Sequence, residues 1–349
     1  MKKTITIFYV LAISFTLIFS ACVKDKPTIV SNGNVSIQGL HKVYITNEGN
    51  FMYNNASVSL YDPESKQVVC DIFKTQNPDQ TLGDVCQSIH KIGNEFYLVV
   101  NNSGKVVVLN ADDFKVKQNI MGFVSPRYIL PVSFSKAYVS DLYANKIAIV
   151  NLITKQITSY IPCTGWTERM IQFYNKVFVT NMYKNYLYVV DVLNDQIIDS
   201  INVGKYASGI VLDKNDKLWV LSSGDNNIGQ NAVLYQINPI NHQIEKYFSF
   251  SSNASPHHLI IDSKRENLFF INQDVFKMNI NANALPSQHF IASNGRNFYG
   301  IAWSNFDDNL YLSDAMDYIQ NSTIYRYNKE GQLIHIFKAG INASDFWVE

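Results

Sequence analysis

Residues 147–151 read Ile-Ala-Ile-Val-Asn, an apolar run of strand-forming residues that stops at an asparagine just before a turn. The same pattern occurs seven times, and its last residues are Asp62, Asn110, Asn151, Asp191, Asn238, Asn279 and Asn328. These residues are 48, 41, 40, 47, 41 and 49 positions apart, close to the length of a four-stranded propeller blade. Asn or Asp after such a run starts a tight turn by binding its own backbone. The sequence therefore predicts an all-β fold, a seven-bladed β-propeller.

A second pattern marks the second strand of every blade except the second, where Tyr97 is followed by Val100 and Asn101 comes one position later. An aromatic residue is followed three positions later by Asn, Asp or Ser, as in Tyr138–Asp141 and Phe178–Asn181. Blade one lacks a good first strand, because residues 37–41 match poorly, whereas residues 343–348 resemble one. We predict that 343–348 pair with 42–47, so that the C-terminal strand closes the ring and leaves no open edge. A β-sandwich or a six-bladed ring is the rival architecture, and the sevenfold count disfavours both.

The composition fits a strand-rich globular body, with 47% hydrophobic, 13% aromatic and 17% charged residues. Lys and Arg number 29, and so do Asp and Glu. Because the chain has no basic excess, we expect no nucleic-acid partner.

The N-terminus has the features of a targeting segment. Lys2 and Lys3 precede an almost entirely apolar stretch at residues 4–20, which leads into small residues and Cys22. We predict a lipoprotein signal peptide at residues 1–21, lipidation of Cys22, a tether at 22–36 and the propeller at 37–349. A secretory signal with an incidental cysteine, or an uncleaved anchor, is the alternative.

Three further cysteines, Cys70, Cys86 and Cys163, are scattered along the chain. Their odd number and wide spacing predict neither a disulfide framework nor a zinc site. We expect them to be small buried residues.

First-strand starts and second-strand ends meet on one face of a propeller, around its channel. That face collects aromatic residues, amides and a few charges, an arrangement suited to a broad and partly apolar ligand. Glu48, Gln87, Glu168 and His258 fall on this face. The residues that we predict to bind ligand are Arg127, Tyr143, Trp166, Arg169, Tyr183, Tyr206, His257, Tyr299 and Tyr318.

Structural roles compete with binding at several of these positions. Asn and Asp at strand ends are more often turn formers than ligand contacts. Adjacent residues on a strand point to opposite faces, so we expect only one of His257 and His258 to face the channel. No GxSxG, HExxH or P-loop motif occurs, and no spacing links a base to a nucleophile. We therefore expect no catalytic residue, no bound metal and no cofactor, so the protein is not expected to be an enzyme.

Several stretches resemble a known family. They include Ile45-Thr-Asn-Glu-Gly-Asn50, Leu82-Gly-Asp-Val-Cys-Gln-Ser88, Ser125-Pro-Arg-Tyr128, Tyr138-Val-Ser-Asp-Leu-Tyr143 and Asp314-Ala-Met-Asp-Tyr318. These runs are similar to the YncE-like propeller lipoproteins of Bacteroidetes, and most similar to the BtuG-type cobalamin-binding proteins.

This resemblance implies a lipoprotein of the outer membrane that captures cobalamin (vitamin B12) or a related corrinoid. It also implies exposure at the cell surface and a BtuB-type TonB-dependent transporter as the partner. A periplasm-facing orientation is the alternative, because Val23-Lys-Asp-Lys26 has few acidic residues for a surface-export signal. A propeller enzyme of the lactonase type and a protein-interaction scaffold are the competing functions.

Overall fold

The computed structural model describes Ile37 and residues 41–348. The predicted signal peptide, the lipidation site Cys22 and the tether lie outside the described residues. The described chain forms seven antiparallel sheets, which are the blades of a β-propeller. The innermost strand of each sheet packs against the innermost strand of the next, all the way around the ring. The seven-bladed fold predicted from the repeats is confirmed.

Each blade takes its strands in sequence order from the inside outwards, except at the point of closure. Blade 1 has the order β27-β1-β2-β3, blades 2 to 5 have four consecutive strands each, blade 6 has three and blade 7 has four. The strands are β1 (Val43–Asn47), β2 (Ser57–Tyr61), β3 (Val68–Val69), β4 (Cys86–Ile92), β5 (Glu95–Val100), β6 (Lys105–Asn110), β7 (Val116–Met121), β8 (Pro126–Pro131), β9 (Lys136–Asp141), β10 (Lys146–Asn151), β11 (Gln156–Pro162), β12 (Thr167–Phe173), β13 (Lys176–Asn181), β14 (Tyr186–Asp191), β15 (Gln196–Asn202), β16 (Ala207–Leu212), β17 (Leu218–Ser222), β18 (Val233–Ile237), β19 (Ile244–Ser249), β20 (His257–Ile261), β21 (Asn267–Asn272), β22 (Asp274–Asn279), β23 (Phe298–Ser304), β24 (Asn309–Asp314), β25 (Asn321–Tyr327), β26 (Leu333–Ile341) and β27 (Ala343–Val348).

Two short helices interrupt this pattern within residues 41–348. The helix α1 (Ile72–Gln76) follows the two-residue strand β3 and buries Ile72 and Phe73 against the core. A single 3₁₀ turn, Asn226–Ile228, lies between β17 and β18. Among the residues that the structure describes, no helix is long and apolar enough to span a membrane.

The seven Asn and Asp residues of the repeat act as turn formers. In every case the side-chain oxygen accepts a hydrogen bond from the backbone N–H two residues later, at 2.8 to 3.2 Å. Each residue ends the third strand of its blade or follows it directly. The local interaction read from the sequence is therefore the one that builds the hairpins.

The C-terminal strand closes the ring as predicted. β27 pairs with β1 in antiparallel register, from Val43 opposite Val348 to Asn47 opposite Ala343. It also packs against β4 and β23, the innermost strands of the two neighbouring blades. Because β27 supplies the innermost strand of blade 1, the first and last strands of the propeller share one sheet.

The core is divided among the blade interfaces. Seven hydrophobic clusters are present in the described chain, and each joins one pair of neighbouring blades. Alternate residues of a strand serve different clusters: Tyr97 and Val99 pack towards blade 3, whereas Phe96 and Leu98 pack towards blade 1. The cysteines behave as expected, since Cys86 and Cys163 are buried and Cys70 is half-buried, all three as free thiols.

Candidate functional site

A β-bulge near the start of every innermost strand shapes the channel. The pairing register of each of these strands with its neighbour shifts by one residue. Bulges of this kind redirect side chains and are common beside binding sites. The residues at the shifts are Gln87, Arg127, Tyr128, Glu168, Arg169, Ser208, His258, Leu259, Tyr299, Gly300 and Ser344.

These bulges surround a central cavity with a volume of about 210 Å³. Every blade contributes to it, and most of the lining residues come from the bulges. The lining residues are Glu48, Gln87, Arg127, Tyr128, Glu168, Arg169, Met182, Ser208, Ser223, His257, His258, Tyr299 and Ser344. We call the end of the propeller that holds this cavity the mouth face.

A lower cavity of about 290 Å³ lies deeper in the channel. It shares Arg169, Ser208 and His258 with the central cavity, so these three side chains form the layer between the two. The hydroxyl of Ser208 is buried and has no hydrogen-bond partner in the described structure. The layer therefore holds a polar group that is free to bind a ligand.

Arg127 is held by an ion pair on the cavity wall. Its Nε donates to Oε1 of Glu168 at 2.8 Å, and its Nη1 donates to the side-chain oxygen of Gln87. Burial lowers the pKa of Arg127, but the charge and hydrogen bond of Glu168, together with Tyr128 and Glu48, outweigh burial and raise the pKa above its usual value. Arg127 thus has a protein partner already, and only its remaining N–H groups can reach a ligand.

Arg169 contacts two other blades across the channel. Its Nη2 donates to Oδ1 of Asp345 at 3.0 Å, and its guanidinium lies over the ring of Tyr128, 4.0 Å from the ring centre. The other oxygen of Asp345 accepts the backbone N–H of Ile89 at 3.2 Å. This side chain therefore stabilises the packing of the innermost strands as well as lining the cavity.

Glu48 carries the second carboxylate of the central cavity. The hydroxyl of Tyr299 donates to its Oε2 at 2.8 Å. Burial raises the pKa of Glu48 above its usual value, although Tyr299 and the charge of Arg127 oppose the rise. Burial and this carboxylate also raise the pKa of Tyr299, so its hydroxyl stays protonated and acts as a donor.

His257 and His258 both line the central cavity, with ring centres 5.2 Å apart. The prediction that only one of them faces the channel is wrong. The strict alternation of a strand fails here because the register shifts between His257 and Ile260, and His258 has a positive φ of 53°. Burial lowers the pKa of both side chains.

Three of the predicted aromatic residues lie together outside the central cavity. Tyr143, Trp166 and Tyr183 line a separate hollow of about 350 Å³, which we call the aromatic ledge. The ring of Trp166 is 5.7 Å from Tyr143 and 5.5 Å from Tyr183. Both tyrosines are more than half exposed, at 58% and 56%. The ledge adjoins the cavity at blade 4, because Trp166 lies two residues before Glu168.

The remaining predicted residues have different positions. Tyr318 is about half exposed and meets the ring of Tyr299 edge-on at 5.9 Å, so it lies beside the cavity. Tyr206 is half-buried, has a positive φ of 57° just before β16, and lines neither the cavity nor the ledge. Of the nine predicted residues, Arg127, Arg169, His257 and Tyr299 line the central cavity.

The strand-end residues are structural, as the sequence suggested. Asp141 accepts the backbone N–H groups of Ser125, Tyr143 and Ala144 and is buried. Asn181 likewise accepts from the backbone of Tyr183. These side chains hold the loops that carry the ledge.

Sequence reasoning missed five lining residues, namely Tyr128, Met182, Ser208, Ser223 and Ser344. A usable signal was present, since Ser344 and Ser208 are each the second residue of an innermost strand. Tyr128 follows Arg127 at the same bulge, and Met182 and Ser223 directly follow second strands.

The chemistry available at this site is mostly that of binding. The cavity offers hydroxyl groups, an amide, two guanidinium groups, two carboxylates and two imidazoles. Within the described residues, no group of three or more His, Cys, Asp and Glu side chains could hold a metal ion.

Fold and site together define a seven-bladed β-propeller with a polar central cavity. The chain belongs to the family described as "Domain of unknown function (DUF5074)", whose profile matches residues 41–343. A comparison with curated protein sequences finds no match.

Solved structures with the same fold come from several bacteria. A quinoprotein alcohol dehydrogenase-like protein from Bacteroides thetaiotaomicron has 17% identity and a TM-score of 0.66, over 90% of this chain and 79% of the other. A proposed 6-phosphogluconolactonase from Bacteroides fragilis has 8% identity and a TM-score of 0.65, over 90% and 99%. A protein of unknown function from Desulfotomaculum acetoxidans has 10% identity and a TM-score of 0.66, over 89% and 99%. At such identities the likeness shows the fold alone.

Proposed function

We propose that this protein is a lipid-anchored binding protein that captures a corrinoid, such as cobalamin, on its mouth face. It passes the ligand to a BtuB-type TonB-dependent transporter of the outer membrane. One observation carries the proposal: an exposed aromatic ledge adjoins a polar cavity at the same end of the propeller.

The size of the cavity favours a ligand that lies across the mouth face. Pockets that enclose a drug-sized molecule usually have volumes of about 300 to 1,000 Å³. The central cavity has a volume of about 210 Å³, so it takes one projecting group of a larger ligand. The rest of such a ligand would rest on the surrounding surface, where the ledge offers aromatic rings.

The chemistry of a corrinoid matches both parts of the site. Its ring has a broad apolar face, which packs well on Tyr143, Trp166 and Tyr183. Its edge carries amide groups, which pair with hydroxyl, amide and guanidinium groups. A charged pair such as Arg127 and Glu168 presents both donors and acceptors at the cavity wall.

The entry point of the chain leaves the mouth face open. β1 begins at Val43, and Glu48, just after its end, lines the cavity. His41 stacks on Phe306 with ring centres 4.4 Å apart, in the turn between β23 and β24. The described chain therefore enters the propeller at the end away from the cavity.

Calorimetry with cobalamin and cobinamide tests the proposal. Losing an aromatic anchor typically costs about 2 kcal/mol, or roughly thirtyfold in affinity, so Trp166→Ala should weaken binding by about that factor. Tyr183→Ala should weaken it more than about tenfold. Tyr174→Ala is the matched control, because Tyr174 is 79% exposed between β12 and β13, at the opposite end.

Each outcome has a clear meaning. If Tyr183→Ala and the control Tyr174→Ala weaken binding equally, the ligand does not bind at the aromatic ledge. A wild-type protein that binds neither corrinoid would refute the function and favour the interaction scaffold. A lactonase-type enzyme rests on fold likeness alone; lactone hydrolysis together with a stoichiometric metal in the purified protein would support it instead.

A further inference from the structure

The layer between the two cavities has hydrogen-bonding groups that the protein does not use. Arg169, Ser208 and His258 form this layer and line both cavities. The hydroxyl of Ser208 is buried and has no hydrogen-bond partner in the described structure. Among the described residues, the guanidinium of Arg169 donates only to Asp345, and the ring of His258 has no hydrogen-bond partner. Because buried polar groups in proteins are nearly always hydrogen-bonded, the layer has the character of a ligand site.

The lower cavity extends from this polar layer along apolar walls. Ile210, Ile301 and Phe346 line it, and so does Asn305, an exposed residue directly after the end of β23. The second residue of β23, Tyr299, lines the central cavity, so the far end of this strand lies away from the mouth face. A ligand can therefore enter the lower cavity from the end of the propeller opposite the mouth face.

The charges of the lower cavity favour an uncharged ligand. Arg169 and Asp345 are the charged side chains in its lining, and they form an ion pair at 3.0 Å. A carboxylate bound at the layer would lie beside the carboxylate of Asp345, and an ammonium group would lie beside the guanidinium. Burying a charge without a partner of its own is costly, so the pair disfavours both ions.

An uncharged carboxamide matches the groups that the layer leaves open. Its carbonyl oxygen has two lone pairs, which accept from the guanidinium of Arg169 and from an N–H of His258. Its NH₂ group donates to the hydroxyl oxygen of Ser208, which is the group without a partner. An apolar body attached to the amide would then lie along the walls of the lower cavity.

We propose that the lower cavity binds a small uncharged molecule that has an apolar body and a terminal carboxamide. The amide binds at the layer, and the body points towards the end away from the mouth face. The cavity volume of about 290 Å³ suits a body of one ring or a short chain. This site opens opposite the mouth face, and the inference does not depend on the proposed function.

Three probes with the same body test the chemistry of the site: phenylpropanamide, phenylpropanoate and phenylpropylamine. They differ in carrying an amide, a carboxylate or an ammonium group. Ligand-observed NMR with the purified protein should give the amide a dissociation constant of about 1 mM or below, a modest efficiency for so small a molecule. The carboxylate and the amine should bind at least about tenfold more weakly.

Variants of the chain locate the bound amide. Ser208→Ala should weaken its binding by about threefold or more, because one hydrogen bond is lost. Ser223→Ala is the matched control, since Ser223 lines only the central cavity and its hydroxyl already donates to the carbonyl oxygen of Pro256. Ala302→Leu adds apolar bulk to the wall of the lower cavity and should abolish binding. Thermal melting followed by circular dichroism checks that each variant is folded.

Several results would overturn the inference. The wild-type protein might fail this test outright by binding no amide at about 10 mM, or it could bind the carboxylate as tightly as the amide. Equal losses in Ser208→Ala and Ser223→Ala, or unchanged binding in folded Ala302→Leu, would also contradict a site in the lower cavity. In each case corrinoid capture on the mouth face would stand, because these measurements use no corrinoid.

Discussion

The ion pair between Arg127 and Glu168 allows a test of how completely the central cavity excludes water. Arg127 Nε lies 2.8 Å from Glu168 Oε1, and the two side chains are 20% and 6% exposed. Removing one partner of a buried pair typically costs about 3 to 5 kcal/mol, because the other charge stays buried alone. Arg127 is partly exposed, so we expect Glu168→Leu to lower the free energy of unfolding by about 3 kcal/mol.

The reverse variant leaves the other charge of the pair alone. Arg127→Met leaves the more deeply buried carboxylate of Glu168 without its partner, so it should cost at least as much as Glu168→Leu at pH 7. The double variant Arg127→Met with Glu168→Leu buries no charge, and we expect its stability to lie within about 1 kcal/mol of wild type.

Urea unfolding followed by tryptophan fluorescence measures all four proteins of this cycle. The expected coupling between the two sites is about 2 kcal/mol or more. If Glu168→Leu costs less than about 1 kcal/mol, water solvates the guanidinium and the cavity is wetter than we argue. The cycle also decides how a binding result is interpreted, because an Arg127 variant that loses stability cannot report on ligand contact alone.

Three further predictions follow from other parts of the chain. Gly300→Ala should lower the free energy of unfolding by at least about 2 kcal/mol, because its Cβ would lie 2.5 Å from the backbone oxygen of Ser344. Gly93→Ala is the control: its Cβ would meet no atom within 4 Å, but its φ of +60° should cost about 1 kcal/mol. Thermal unfolding measures both, and equal costs would argue against tight closure at β27. Stability should fall as the pH drops below about 6.5, because the unfolded chain takes up protons at histidines whose folded pKa is lowered, among them His258. Between pH 7.5 and pH 5.5 the free energy of unfolding should therefore fall less for His258→Gln than for wild type. An equal fall in the two proteins would contradict this prediction. Cys22→Ala should remove the protein from the membrane fraction of cells if the thiol is lipidated, whereas equal fractionation of variant and wild type would count against the anchor.

The fold could be predicted from the sequence because local interactions build it. Each Asn or Asp of the repeat accepts a hydrogen bond from the backbone N–H two residues later. Because this contact lies within one turn, the same residue type recurs in the sequence at every blade. Ring closure was predictable for a similar reason, since residues 343–348 carry the pattern of an innermost strand that residues 37–41 lack. Tyr143 and Tyr183 lie together because both follow second strands of neighbouring blades, and Trp166, just before the innermost strand of blade 4, lies at the same end of the propeller.

The detailed composition of the site depended on tertiary structure. A bulge adds one residue to a strand and thereby changes which side chains face the channel, and its position follows from pairing with the neighbouring strand. For this reason alternation along β20 failed at His257 and His258, and Tyr128, Ser208 and Ser344 were missed. Burial and ion pairing likewise depend on contacts between distant blades. The sequence by itself determined the seven blades, their turns and the closing strand. Only the packing of the innermost strands decided that Arg169 would contact Asp345, because the two residues are 176 positions apart and no local sequence pattern connects them.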